Sequence, residues 1–212
     1  IWKKNVPGFE HMRNIPAGFR EKLSAAYYIG KISVDHFQVS SDRTIKNAFK
    51  LRDGHLIEGV LIPTETRMTA CVSSQVGCSL SCRFCATGKL DRIRNLDYDE
   101  IYDQVYTINR QANEHYNIPL SNIVYMGMGE PLLNYSNVWK SIEMVTSPEG
   151  MGMSPQRITV STAGIAKMIT KLADDGAKFN LALSLHAAND EKRDKIMPIN
   201  ESNRLDSLHQ AL

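Results

Sequence analysis

Met68-Thr69-Ala70-Cys71-Val72-Ser73-Ser74-Gln75-Val76-Gly77-Cys78-Ser79-Leu80-Ser81-Cys82-Arg83-Phe84-Cys85 runs from a short apolar stretch directly into a loop that carries three thiols. The first part, Met68 to Ser73, predicts a strand. Downstream the pattern becomes regular: helix Tyr98 to His115, strand Ile123 to Met126, helix Val138 to Thr146, strand Ile158 to Ser161, helix Ile165 to Asp174, strand Phe179 to Leu185. Strands alternating with helices of about ten to fifteen residues predict βαβ units, a parallel sheet and right-handed crossovers. Four such units are visible, so the fold class is α/β. Parallel sheets and barrels place their chemistry beyond the carboxyl ends of their strands. The loops after Ser73, Met126, Ser161 and Leu185 are therefore where a site is expected, and the motifs fall there.

Upstream the order is weaker. In residues 1–43, Trp2, Phe9, Met12, Ile15, Phe19, Leu23 and Tyr27 recur at three- and four-residue steps between the breaks at Pro7, Gly8 and Pro16, which predicts a small helical lobe. Residues 44–63 alternate on either side of Asp53-Gly54 and predict a β-hairpin closed by Pro63. Residues 64–212 form the main domain. The whole chain has 212 residues, 42% hydrophobic and 23% charged, which suits one sizeable core with an appendage. A net charge of +2 is no electrostatic footprint for nucleic acid, and no apolar run approaches the roughly 18 residues of a membrane span. With no secretory signal at its start, the chain reads as cytoplasmic. It opens at Ile1 without a methionine and stops at Leu212 in the first turn of a helix from Leu205, as a fragment would.

Cys78, Cys82 and Cys85 stand at spacings of four and three in one loop, and the fourth cysteine, Cys71, lies on the preceding strand. That distribution is wrong for a disulfide scaffold and suits a metal centre in a reducing compartment. Structural zinc and ordinary iron–sulfur sites take four protein ligands; three ligands leave a coordination position open, as catalytic sites do. The competing reading is a zinc knuckle completed by His55, Cys71 or His186. Gly127-Met128-Gly129-Glu130-Pro131 follows the second strand, where two glycines permit close approach to a ligand and a carboxylate can accept from an ammonium group. Ser161 and Thr162 end the third strand, and Ser184-Leu185-His186 the fourth, placing hydroxyl and imidazole groups at the same rim, with helix capping and loop packing as alternatives. Glu58, in an otherwise apolar strand, is either a solvent-face residue or a general base. Cys71 is either a small buried residue or a redox partner of the site.

The C-x3-C-x2-C spacing with Phe84 before the last cysteine resembles the signature of radical S-adenosylmethionine enzymes. Together with residues 58–63, 69–78, 127–134 and 183–187 it resembles the RlmN family, dual-specificity methyltransferases of carbon 2 of adenine in 23S ribosomal RNA and transfer RNA. The resemblance implies a partial (βα)6 barrel. It implies that Cys78, Cys82 and Cys85 hold a [4Fe-4S] cluster, and that Gly129, Glu130, Ser161, Ser184, Leu185 and His186 bind S-adenosylmethionine. Glu58 is then the proton acceptor. In the family a methyl group carried on a C-terminal cysteine is activated by the cofactor's radical, and a second cysteine, matching Cys71, releases the product by forming a disulfide. Adenine carbon 2 is neither nucleophilic nor acidic, a physical reason for radical chemistry.

No cysteine follows Cys85, so the methyl carrier is missing and this chain by itself is not expected to complete turnover. The expected partners are 23S rRNA, tRNA and a flavodoxin-type electron donor, with the chain a monomer. Lys89, Arg92 and Arg94, and Lys3, Lys4, Arg13, Arg20 and Lys22, are candidate phosphate contacts, each equally readable as a solvated charge. The rival readings are a carbon-8 adenine methyltransferase of the same superfamily and a zinc-stabilised RNA-binding module.

Overall fold

The computed structural model describes residues 6–212, so Trp2, Lys3 and Lys4 lie outside the described residues. The N-terminal part is helical in a single turn at Phe9–His11 and in α1, Ala17–Ala26, neither of which buries a side chain. The helical character expected to continue toward residue 43 gives way to a strand, β1 (Ser33–Val39), paired antiparallel to β2 (Ile45–Lys50) with a bulge between Val34 and His36. Apart from Val34 its side chains are exposed. An edge strand with no buried face leaves no period-two apolar signal in the sequence, and backbone pairing alone makes it.

The predicted hairpin is present. β2 buries Ile45, Asn47 and Phe49, and β3 (Leu56–Pro63) buries Ile57, Gly59 and Leu61. Gly54 supplies the left-handed corner at φ 87°, and the Asp53 carboxylate accepts from the His55 amide at 3.1 Å. β3 then pairs antiparallel with β4 (Met68–Cys71), with Val60 opposite Cys71, so the hairpin continues directly into the main sheet.

A two-stranded ribbon, β5 (Gln75–Val76) against β6 (Arg94–Asn95), closes the base of the cysteine loop. After α2 (Tyr98–Tyr116) the chain alternates β7 (Asn122–Tyr125), α3 (Tyr135–Thr146), β8 (Ile158–Thr162), α4 (Ala166–Asp174) and β9 (Asn180–Leu183), followed by α5 (Asp190–Asp194) and α6 (Leu205–Ala211). The sheet order is β1-β2-β3-β4-β7-β8-β9, antiparallel as far as β4 and parallel from β4 to β9.

The physical reasons are local. Asp97 and Glu100 form a reciprocal capping box on α2, and Asn117 ends it in the left-handed conformation. Between them Ile101, Val105, Ile108 and Ala112 make one buried stripe. That stripe packs on β3 and β4 and shares one core cluster with the fully buried side chains of the parallel strands, among them Ala70, Ile123, Tyr125, Ile158 and Val160. Each large apolar side chain so buried contributes about 1.5–3 kcal/mol. Asn47 and Gln111 exchange two hydrogen bonds (2.9 and 2.6 Å) within this core and fix α2 on the hairpin. Among the described residues no helix is long and apolar enough to cross a membrane.

Candidate functional site

The exit of β4 is organised by polar groups inside the core. Ser73 donates from its amide to the Gln104 side-chain oxygen (2.8 Å) and accepts from the Gln104 side-chain nitrogen at its carbonyl (3.1 Å), so a side chain of α2 continues the strand ladder. The Ser73 hydroxyl donates to the Glu58 carbonyl (2.6 Å) and accepts from the Met128 amide (2.8 Å). Gln75 accepts from the Glu130 amide at 2.9 Å and donates to Asn95 at 2.7 Å. Asn134 donates to the carbonyls of Ser74 and Leu96. These buried residues lock the turn after β7 against the strand that feeds the cysteines. Sequence reasoning did not single them out, although four polar side chains in an apolar neighbourhood are a signal, because buried polar groups must find partners.

The cysteine loop leaves through Gly77, at φ 74°, where an added Cβ would stand 2.0 Å from the Asp91 carbonyl oxygen. The Cys78 amide donates to Leu90 and the Arg83 amide to Ile196. Burial raises the Cys78 thiol; burial and then the neighbouring Cys78, Cys85 and Glu130 push the Cys82 thiol up to about 11. All three thiols line a single cavity of about 280 Å³.

The opposite wall comes from the turn after β7. Gly129 sits at φ 97°, with an added Cβ 2.5 Å from the Gln75 side chain. Glu130 is buried, and its carboxylate accepts from the Leu132 amide (3.1 Å) and the Ala163 amide (2.7 Å), bridging the β7 and β8 loops. Burial raises its carboxyl, against the pull of those hydrogen bonds. Ser161 in β8 and Ser184 just after β9 approach hydroxyl to hydroxyl at 3.3 Å and line the cavity.

Beneath this rim lies Arg193, fully buried and not foreseen from the sequence. Its guanidinium donates to the carbonyls of Ala163 (2.5 Å), Leu185 (3.1 Å) and Ser184 (3.4 Å) and to the Asn200 side-chain oxygen (2.5 Å).

The sequence matches the Radical SAM superfamily over residues 72–212. The chain belongs to the radical SAM superfamily. It is 60% identical over 212 residues to a probable dual-specificity RNA methyltransferase RlmN of Cytophaga hutchinsonii, covering all of this chain and 58% of that protein. To the protein of the same name from Flavobacterium psychrophilum it is 59% identical, covering all of this chain and 61% of that one. A crystal structure of a radical SAM methyltransferase from Sphaerobacter thermophilus matches with a TM-score of 0.91 at 37% identity, over 98% of this chain and 61% of that one. The chain thus spans about three fifths of the length of these relatives. Radical SAM membership implies an iron–sulfur cluster and S-adenosylmethionine.

For a radical SAM chain, the expected site residues divide into two groups. Cys78, Cys82, Cys85, Gly129, Glu130, Ser161 and Ser184 share the one cavity. Leu185 and His186 stand beside it: Leu185, 46% exposed, gives its carbonyl to Arg193, and the His186 ring, on a backbone at φ 57°, packs against Phe84 at a 39° tilt with centroids 4.1 Å apart. Cys71 lies one strand residue from the buried Ala70 and faces the other side of the sheet, where the Met126 amide bonds its sulfur and burial pushes the thiol up to about 11. All four cysteines are free. Glu58 projects to solvent and pairs with Lys46 at 2.6 Å, both half exposed. Of the candidate phosphate contacts, Arg94 is committed to the fold, held by Glu100 through two hydrogen bonds (2.7 and 2.8 Å) and by Asp53 (2.6 Å). Among the described residues no three His, Cys, Asp or Glu groups form a single-ion site.

Proposed function

We propose that this chain carries the cofactor-binding part of a radical SAM RNA methyltransferase that acts on carbon 2 of adenine in 23S rRNA and tRNA by way of a methylated cysteine. The observation that carries the reading is one cavity walled by three loop thiols on one side and by the Gly129–Glu130 turn and the Ser161–Ser184 pair on the other. Its donor chemistry fits the implied groups. Three thiols on one wall match a cluster that leaves one iron for a cosubstrate. The candidates for a fourth zinc ligand do not line the cavity: Cys71 is in the sheet beside Met126, His186 packs against Phe84, and His55 is in the hairpin turn.

In this reading Cys78, Cys82 and Cys85 hold the [4Fe-4S] cluster. Gly129, Ser161 and Ser184 contact S-adenosylmethionine, with Leu185 and His186 at the rim. Glu130 is first a strut: with both oxygens taken by backbone amides, it fixes the distance between two loops that must grip one ligand. The bound cluster and cosubstrate supply a carbon-centred radical; the chain's own residues position, shield and move protons. Glu58 is suited to accept a proton at its carboxylate from a base presented over the strand ends, where Ser73 and Met128 fix its backbone. Cys71, kept protonated by burial, acts as the resolving thiol once it is exposed to a base. The RNA and a flavodoxin-type electron donor are the expected partners, and the assembly works as a monomer.

The test is anaerobic reconstitution of the full-length protein with iron and sulfide, followed by paramagnetic resonance with and without S-adenosylmethionine and by mass spectrometry of the modified adenosine. A cluster signal that changes with S-adenosylmethionine and is lost in Cys82→Ala, with 2-methyladenosine as product, is expected. Zinc without cluster refutes the cofactor assignment, and 8-methyladenosine refutes the regiochemistry.

A further inference from the structure

Arg193 is buried in full, yet none of its four hydrogen-bond acceptors is charged. Three are loop carbonyls and the fourth is the side-chain oxygen of Asn200. The nearest acids are set one group further out: Asp190 and Asp194 both accept from the Asn200 side-chain nitrogen, at 2.8 and 2.7 Å, and Asp194 is itself paired with Arg204 at 2.7 Å. A buried cation without a carboxylate against it is costly, and proteins keep one where an anion will face it. Two of the Arg193 acceptors, Ala163 and Ser184, line the cysteine cavity, so the guanidinium stands directly behind that wall, and an anion in the cavity would face it. The segment that carries Arg193 also holds the cysteine loop, through the Arg83 amide on the Ile196 carbonyl, and contributes the buried Met197 to the cavity wall.

We infer that Arg193 is the fixed positive counter-charge of the iron–sulfur cluster and sets the potential at which that cluster takes up its electron. The inference rests on the assignment of the three cysteines to a [4Fe-4S] cluster. The oxidised core with three thiolates carries a net charge of −1. One electron from a low-potential titrant such as dithionite makes it −2, with no bond formed or broken. A cation buried next to it stabilises the more negative state, because charges in a protein interior interact far more strongly than in water, and net charge and burial are among the levers that set cluster potentials. The hydrogen bonds to Ala163, Ser184 and Leu185 keep the guanidinium from swinging away and put no carboxylate in direct contact with it.

The experiment is a redox titration of the anaerobically reconstituted full-length protein, followed by paramagnetic resonance, for wild type, Arg193→Gln and Arg193→Lys, with folding checked by circular dichroism. Arg193→Gln is expected to lower the reduced-to-oxidised ratio at fixed potential about tenfold, a fall of about 59 mV for one electron. Arg193→Lys, which keeps the charge and loses the fork of hydrogen bonds, stays close to wild type. An unchanged potential in Arg193→Gln overturns the inference, as does an equal fall in both variants, which would assign the effect to geometry. If Arg193→Gln does not fold, a fall in Arg193→Lys alone overturns it. A wild-type protein that takes up no cluster instead overturns the cysteine assignment, a separate and recognisable failure.

Discussion

Replacing Glu130 by glutamine changes a single atom type at a position where the structure uses both carboxylate oxygens. One accepts from the Leu132 amide at 3.1 Å and the other from the Ala163 amide at 2.7 Å, both buried. A side-chain amide can face only one of these donors with its oxygen; its NH₂ then meets the other N–H, donor against donor. The bond that survives drops from charge-assisted to neutral, and the one that is lost leaves a buried N–H without a partner. Unsatisfied buried donors cost about 1–3 kcal/mol and a charge-assisted bond is roughly twice as strong as a neutral one, so the expected loss is about 2–4 kcal/mol. Removing a carboxylate that burial disfavours offsets part of this, which places the figure toward the lower end. The assay is urea denaturation with slope and midpoint fitted separately, since an unchanged slope with a lower midpoint reads as stability alone. Calorimetric titration with S-adenosylmethionine should weaken in parallel, because Ala163 and Gly129 lose their common anchor. A variant with the wild-type midpoint would mean that the carboxylate does not tie the two loops together.

Gly129→Ala places a Cβ 2.5 Å from the Gln75 side chain and 2.9 Å from its backbone nitrogen, at φ 97°; left-handed strain of about 1–2 kcal/mol adds to overpacking of about 1–3 kcal/mol, and calorimetry should show a melting temperature lower by several degrees. An unchanged melting temperature would show that the turn has more room than this. Asp103, buried beside the Ile32 amide, has its carboxyl pushed up from 3.8 to about 6, chiefly by burial. The folded chain then keeps a proton that the unfolded chain releases, so stability falls as pH rises from about 4 to about 6 and does not recover above; Asp103→Asn should match wild type at pH 4 and exceed it by on the order of 1–3 kcal/mol at pH 7. Denaturation midpoints that differ equally at both pH values would contradict this. Cys71→Ser should keep its iron and sulfide after reconstitution while Cys78→Ala loses them, and parallel loss in both would move Cys71 into the cluster.

Much of this was legible because the parallel strands and their helices carry strong periodic signals: Ile101, Val105 and Ile108 mark α2, and the buried strands read as apolar runs. β1 was illegible for the opposite reason. Its side chains face solvent, so what makes it a strand is the hydrogen-bonding edge of β2, which no local pattern records. The site divides in the same way. Cysteine spacing and paired glycines are visible because the chemistry demands particular residue types at fixed intervals. The role of Arg193 was not, since an arginine in Asp190-Glu191-Lys192-Arg193 reads as one more charge on an exposed helix until the fold turns it inward.

Arg193, Glu130 and Gln75 belong to one arrangement. Each donates or accepts across a gap between loops that follow different strands: Gln75 joins the β4 and β7 exits, Glu130 the β7 and β8 exits, and Arg193 the β8 and β9 exits. A parallel sheet fixes where its strands end but does not fix the loops beyond them, and loops have little apolar surface with which to hold themselves. Here buried side-chain hydrogen bonds do that work strand by strand around the rim, and each is satisfied before any cofactor arrives. The consequence is preorganisation: the thiols, the glycine turn and the serine pair hold their relative positions at no cost to binding, and the ordering entropy is met by folding instead. Two of these staples are charged: Arg193 stands behind the wall formed by Ala163 and Ser184, and Glu130 lies in the cavity wall itself. Arg193 meets only neutral acceptors there, whereas each Glu130 oxygen accepts from a backbone amide.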